Sequence, residues 1–161
     1  MKGSIVILRN IEDVFDFVTQ PENLFDTKRK GWIMFDSVGP VSAGSRLNAS
    51  FTMGPIAGGA TYEVTTFERP YRLGFLITSQ GARITGFDKP TKDFSSRSVS
   101  PMQDTIELKA APGGTRLTRT VDVKSKNPVA WMLALPFSPF ANWGARRDLR
   151  RLKTLIESEL P

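Results

Sequence analysis

The 161-residue chain contains no cysteine and no histidine. Without cysteine there is no disulfide framework and no thiolate metal site. Without histidine, the common transition-metal sites and every triad, dyad or proton relay built on imidazole are excluded. Chemistry therefore falls to Asp, Glu, Lys, Arg, Tyr, Ser or Thr, and tyrosine occurs only twice. Long hydrophobic runs are missing too. The opening run Ile5-Val6-Ile7-Leu8 is shorter than the roughly 7–15 residues of a signal-peptide core and stops at Arg9, so a cytoplasmic protein is expected. The stretch from Val129 to Trp143 is interrupted by Pro136, Ser138, Pro139 and Asn142 and falls below the ~18 residues of a spanning helix.

Positive charge is in excess, at net +6, concentrated in Lys28-Arg29-Lys30 and in Arg146, Arg147, Arg150, Arg151 and Lys153. Such a balance permits contact with nucleic acid or an anionic membrane surface without requiring either. Nucleic acid fits poorly, because the basic residues lie on a helix that must bury its opposite side and no exposed aromatic platform interleaves with them. The glycines at 54–59 lack the lysine and spacing of a phosphate-binding loop and read as a hairpin turn.

Local pattern supplies the elements. Ser4 to Leu8 reads as a strand. Asn10 caps a short helix with Glu12 and Asp13 in its first turn and Val14, Phe15, Phe17 and Val18 on its apolar side, and Pro21 to Phe25 forms a further helical turn. Period-two alternation then predicts strands at Trp32–Val38, Ser45–Met53, Ala60–Glu68 and Arg72–Thr78, with Tyr62, Val64 and Thr66 on one face of the third. Thr105–Ala110 and Arg116–Lys124 form a hairpin around Pro112-Gly113-Gly114, with Ile106 and Leu108 facing Leu117, Val121 and Val123. The polar segment 80–102 is expected to be a mobile insertion or lid, with a short strand at Arg83–Phe87. Asn127-Pro128 and Ser138-Pro139 each open a C-terminal helix. The second runs to about Glu159 with Ala145, Leu149, Leu152 and Ile156, together with Leu155 and Leu160, as its apolar stripe.

This order predicts one α+β domain over residues 1–161: a curved antiparallel sheet of about six to seven strands, two short N-terminal helices and a long C-terminal helix across the sheet. A long helix cannot touch all of a concave sheet, so the gap becomes an apolar cavity.

Several segments carry a family resemblance: Ile5-Val6-Ile7, then Ile11 to Val18, Pro21-Glu22-Asn23 and Trp32. To these add Gly39-Pro40-Val41 with Gly44-Ser45-Arg46, Tyr62-Glu63-Val64 leading to Arg69-Pro70, and Gly113 to Thr118. Together they resemble the polyketide cyclase/dehydrase and lipid-transport superfamily, also called SRPBCC, START-like or Bet v 1-like. The resemblance implies a helix-grip fold around a hydrophobic ligand cavity. It implies no shared catalytic motif, since that superfamily spans cyclases, dehydratases and ligand carriers.

The expected lining is Phe51, Tyr62, Val64, Phe75, Ile77, Ile106, Leu108, Arg119 and Val121 from the strands, with Trp131 and Trp143 near the cavity mouth. Arg119 shares a strand face with Leu117, Val121 and Val123. It either meets a carboxylate, a carbonyl or a ligand anion, or reaches water at a bulged edge. Tyr62 either hydrogen-bonds a ligand oxygen or packs in the core with its hydroxyl at the surface. Glu63 and Glu107 should face solvent, and Asp88 lies in the 80–102 segment. No catalytic set, metal or cofactor is assigned. The expected activity is binding of a small hydrophobic or amphipathic molecule, lipid-, polyketide- or terpenoid-like, by a carrier or sequestering protein, with a cyclase/dehydratase-type enzyme as the alternative. A monomer or weak homodimer is expected, and the Trp131–Trp143 region with its neighbouring arginines is the surface that would meet an anionic membrane.

Overall fold

The computed structural model describes residues 2–24, 33–37, 39–53, 56–84, 92–94, 101–123 and 138–159. Strand β1 (Lys2–Ile7) precedes α1 (Ile11–Val18), and the switch is fixed by Asn10. Its extended backbone ends the strand while its side chain accepts the Asp13 N–H at 2.9 Å, satisfying one of the orphan donors of the first turn. α1 buries Val14, Phe15, Phe17 and Val18, and one four-residue turn, α2 (Pro21–Leu24), follows.

The remaining strands are β2 (Ile33–Phe35), β3 (Arg46–Met53), β4 (Ile56–Glu68), β5 (Arg72–Ile84), β6 (Lys92–Phe94), β7 (Met102–Ala111) and β8 (Gly114–Val123). They form one curved antiparallel sheet in the order β1-β8-β7-β5-β4-β3-β2, with β6 paired to β5. α3 (Ser138–Glu159) lies along β1. Buried Leu149, Leu152 and Ile156 join Ile7, Leu73, Phe75, Ile106, Leu108 and Leu117 in one core. Each such side chain contributes roughly 1.5–3 kcal/mol on leaving water.

Edge strand β1 is closed off by α3 through side chains. The Lys153 ammonium donates to the Val6 carbonyl at 2.8 Å, and a Glu157 carboxylate oxygen accepts the Leu8 N–H at 2.7 Å. Both backbone groups face away from β8, where an uncovered edge would recruit another strand. On the other flank, Gly114 sits against the Ile7 carbonyl so closely that a Cβ there would lie 2.1 Å from its oxygen.

The sheet departs from the sequence expectations in four places. The glycine run expected as a turn at 54–59 is largely strand, since Gly58 and Gly59 pair with Phe51 and Ser50 and the Gln80 side chain covers Gly59. Segment 80–102 is not one long loop: Gln80 to Ile84 continue β5 along the extended β4, and β6 pairs with residues 82–84. Of the expected strand Arg83–Phe87, Arg83 and Ile84 are the end of β5 and 85–87 lie outside the described residues; exposed Gln80 and Arg83 mark a solvated strand end. A register shift between Val64 and Thr66 puts Thr66 opposite Gly74 and Phe67 opposite buried Leu73. The bulge turns Phe67, not Thr66, toward the core, where its ring meets Phe15 edge-on at 5.4 Å. Finally, of the expected strand Trp32–Val38 the sheet takes Ile33–Phe35, Trp32 and Val38 lying outside the described residues; at Asp36 the backbone N–H still donates to the Asn48 carbonyl at 2.9 Å, while the Asp36 carboxylate accepts the Asn48 backbone and side-chain N–H groups at 3.1 and 2.9 Å.

Candidate functional site on the concave face

Alternation places Tyr62, Val64, Phe75, Ile77, Asp104, Ile106, Leu108, Leu117, Arg119 and Val121 on the concave face. Among the expected lining residues, Tyr62, Val64, Phe75, Ile77, Ile106 and Leu108 are buried, while Arg119 and Val121 are half-buried. Phe51 lies in β3 and Trp143 in α3, but their side chains, like all of Trp131 and Asp88, lie outside the described residues. Glu63 and Glu107 are on the outer face, where they meet Arg46 at 2.8 Å and Arg72 at 3.8 Å.

Arg119 neither snorkels to water nor waits for a ligand anion as its first partner. Its guanidinium is forked onto Asp104, with Nε 3.0 Å from each carboxylate oxygen and Nη2 bonded to Oδ2. The carboxylate is 1 % exposed and the arginine side chain 19 %, so the pair sits at the boundary between core and accessible space. Burial alone would weaken the charge on Arg119. The Asp104 carboxylate more than offsets this by charge and hydrogen bonding, with Asp148 of α3 and Tyr62 adding to it, and the guanidinium is held above its usual range.

Tyr62 completes the cluster. Its ring stacks edge-on against Phe35 at 5.2 Å. Burial pushes its phenol above the usual range, Asp104 pushes in the same direction, and Arg119 opposes them. Tyr62 therefore stays protonated at neutral pH as a hydrogen-bonding group and is not a ready proton donor. Asp104, held by a forked arginine, is an ion-pair partner more than a general base.

Asp104 lies just before the strand expected from Thr105, whereas β7 begins at Met102. Extending the alternation backwards from Leu108 through Ile106 finds it directly. Among the described residues no group of three or more His, Cys, Asp and Glu is arranged to hold a metal ion. Among the described residues, grooves also open away from this face. One of about 430 Å³ lies between Lys2–Ile5 and Leu149–Arg150. Another, about 460 Å³, lies on the outer face beside Asp36, Asn48 and Gln80. There Asn48, Thr61 and Gln80 bond one another at 2.7–3.1 Å, and the Asn48 side-chain amide holds the Asp36 carboxyl below its usual range. These groups satisfy each other and form a cross-strand ladder.

No family model and no curated protein sequence matches this chain. Solved structures do. Ara h 8.0201 superposes with a TM-score of 0.64 at 10% identity, over 98% of this chain and 97% of that one. A conserved protein from Geobacillus kaustophilus gives 0.64 at 17% identity over 98% and 94%. The chain has the Bet v 1-like helix-grip fold. DynU16, described as a putative protein in the dynemicin biosynthetic locus, has the same fold at a TM-score of 0.57 and 16% identity, with 99% of this chain covering 47% of its length. In this Bet v 1-like sheet, the Asp104–Arg119–Tyr62 cluster lies on the face that the C-terminal helix grips, and Asp148 of that helix is near enough to act on Arg119.

Proposed function

We propose that this protein binds a small, largely apolar molecule between the concave sheet face and α3, as a carrier or sequestering protein. The observation that carries the proposal is an apolar wall of Val64, Phe75, Ile77, Ile106 and Leu108 interrupted by one polar cluster, in a fold that supports cavity binding. Apolar walls with few, localised polar groups are the usual character of small-molecule sites. Native mass spectrometry of freshly purified protein, followed by organic extraction, tests it. A retained apolar compound is the expected result. An empty protein that also fails to take up neutral apolar dyes would point to a filled interior and an interaction role instead.

The fold shared with DynU16 favours a second reading, a cyclase- or dehydratase-type enzyme in which the wall folds a reactive substrate and Tyr62 orients one of its oxygens. Turnover of a polyketide-like substrate, lowered in Tyr62→Phe with substrate affinity nearly intact, would establish it over the carrier. Among the described residues no helix is long and apolar enough to cross a membrane. Exposed Arg147 and Arg150 on α3 supply a surface for peripheral contact with anionic lipid, and vesicle co-sedimentation with and without anionic lipid tests that contact.

A further inference from the structure

We infer that the ligand is uncharged: an apolar body carrying a hydroxyl, ketone or ester oxygen, not a carboxylate, sulfate or phosphate. This rests on the ligand-binding reading above and concerns what the Arg119 cluster recognises. A lone arginine on an apolar wall would select an anion. Here the guanidinium is already neutralised by a forked carboxylate within the protein. Asp148 of α3 adds a second negative charge that Arg119 senses. An anionic ligand arriving at Arg119 would have to lie beside Asp104, whose carboxylate is almost fully out of water and therefore poorly screened. Moving a carboxylate out of water is costly even after relaxation, and it needs an uncommitted cation to recover that cost. A neutral oxygen meets no such penalty, because the phenol of Tyr62 and the edge of an ion pair interact with it through hydrogen bonds and dipoles.

Asp104 is then a specificity-determining residue, with its effect exerted through Arg119. Matched probes isolate the charge: dodecanol and dodecanoate share an alkyl chain and differ in the head group. Displacement of bound Nile red, a neutral dye, at pH 8 and low salt reads both affinities on the full chain. In the wild type, dodecanol should displace the dye at a concentration at least about tenfold lower than dodecanoate. Asp104→Asn keeps the shape and removes the carboxylate forked onto Arg119, so the preference should reverse toward dodecanoate, and added salt should weaken the new binding. If Asp104→Asn does not fold, the wild-type ratio alone decides, with Asp104→Asn/Arg119→Gln expected to keep the preference for dodecanol. Equal or tighter binding of dodecanoate by the wild type overturns the inference while leaving ligand binding intact. Failure to bind Nile red and both probes overturns ligand binding itself, and the inference with it.

Discussion

Asp104 and Arg119 are diagonal neighbours across the β7–β8 ladder: Asp104 is opposite Val121 and Arg119 opposite Ile106, and the arginine reaches back along the face to fork onto the carboxylate. The diagonal spacing of roughly 7–8 Å suits a long side chain meeting a short one. It also means that each partner is flanked by apolar residues, Phe75 and Ile106 among them, with the ion pair seated directly on the core.

Removing one partner should therefore cost far more than removing both. Asp104→Leu leaves a largely buried cation without its counter-charge, at about 3–5 kcal/mol. Asp104→Leu/Arg119→Met should recover most of that loss, since an apolar pair of similar volume suits the surrounding wall. Urea unfolding of the two single variants and the double variant closes the cycle, and additive losses would show that the pair is uncoupled.

Tyr62 gives a signature at alkaline pH. In the unfolded chain its phenol ionises near the reference value of about 10. In the native protein burial holds the proton to higher pH. The unfolded state thus loses its proton first, so the stability contributed by protonated Tyr62 is complete below pH ~10 and is lost as pH rises through the native value. Comparing unfolding free energies of the wild type and Tyr62→Phe between neutral pH and the phenol range should show the extra downward slope in the wild type alone. Parallel curves would mean that Tyr62 ionises normally.

Much of this architecture was legible in the sequence because local chemistry and tertiary packing agree. Asn10 with Glu12 and Asp13 marks the helix start, and Pro112-Gly113 marks the β7–β8 turn, where Gly113 takes a positive φ of 77°. Where they disagree, the reading failed. Gly58 and Gly59 have the composition of a turn, yet paired neighbours on both sides hold them in the sheet. The bulge before Thr66 cannot be seen in an alternating string, because only the register with Gly74 and Leu73 reveals it. Arg119 could be placed on the inner face from its period. Its partner Asp104 shares the period of Ile106 and Leu108 but lies before the expected strand start at Thr105, and fifteen residues separate it from Arg119 until the hairpin closes.

The contact of Gly114 with the β1 backbone predicts a large effect from one methyl group. A Cβ would fall 2.1 Å from the Ile7 carbonyl oxygen, a backbone atom that cannot swing away as a side chain would. Gly114→Ala should force β8 from β1 and cost about 1–3 kcal/mol, the range for overpacked sites. Gly3→Ala meets only the tip of the Leu149 side chain and should be milder. Thermal melts of the two variants test the ranking, which fails if Gly3→Ala is the more damaging.

The side-chain closure of the β1 edge makes a prediction about local opening. Glu157 accepts the Leu8 N–H, and Lys153 covers the Val6 carbonyl while pairing with Glu157 at 3.4 Å. Glu157→Ala removes the acceptor from an amide at the end of an edge strand, so Leu8 N–H exchange should accelerate at least about tenfold, the equivalent of one hydrogen bond of roughly 1.4 kcal/mol. Amides of the central strands β5 and β7 should exchange as before, because their partners are backbone groups of neighbouring strands and not Glu157 or Lys153. Lys153→Met keeps the apolar stem against β1 and removes only the donor. It should loosen the same edge by a smaller factor, since the exposed side of the Val6 carbonyl can then take water. Hydrogen exchange read residue by residue separates these outcomes, and uniform acceleration throughout the sheet would mean that α3 stabilises the whole fold and not the β1 edge in particular.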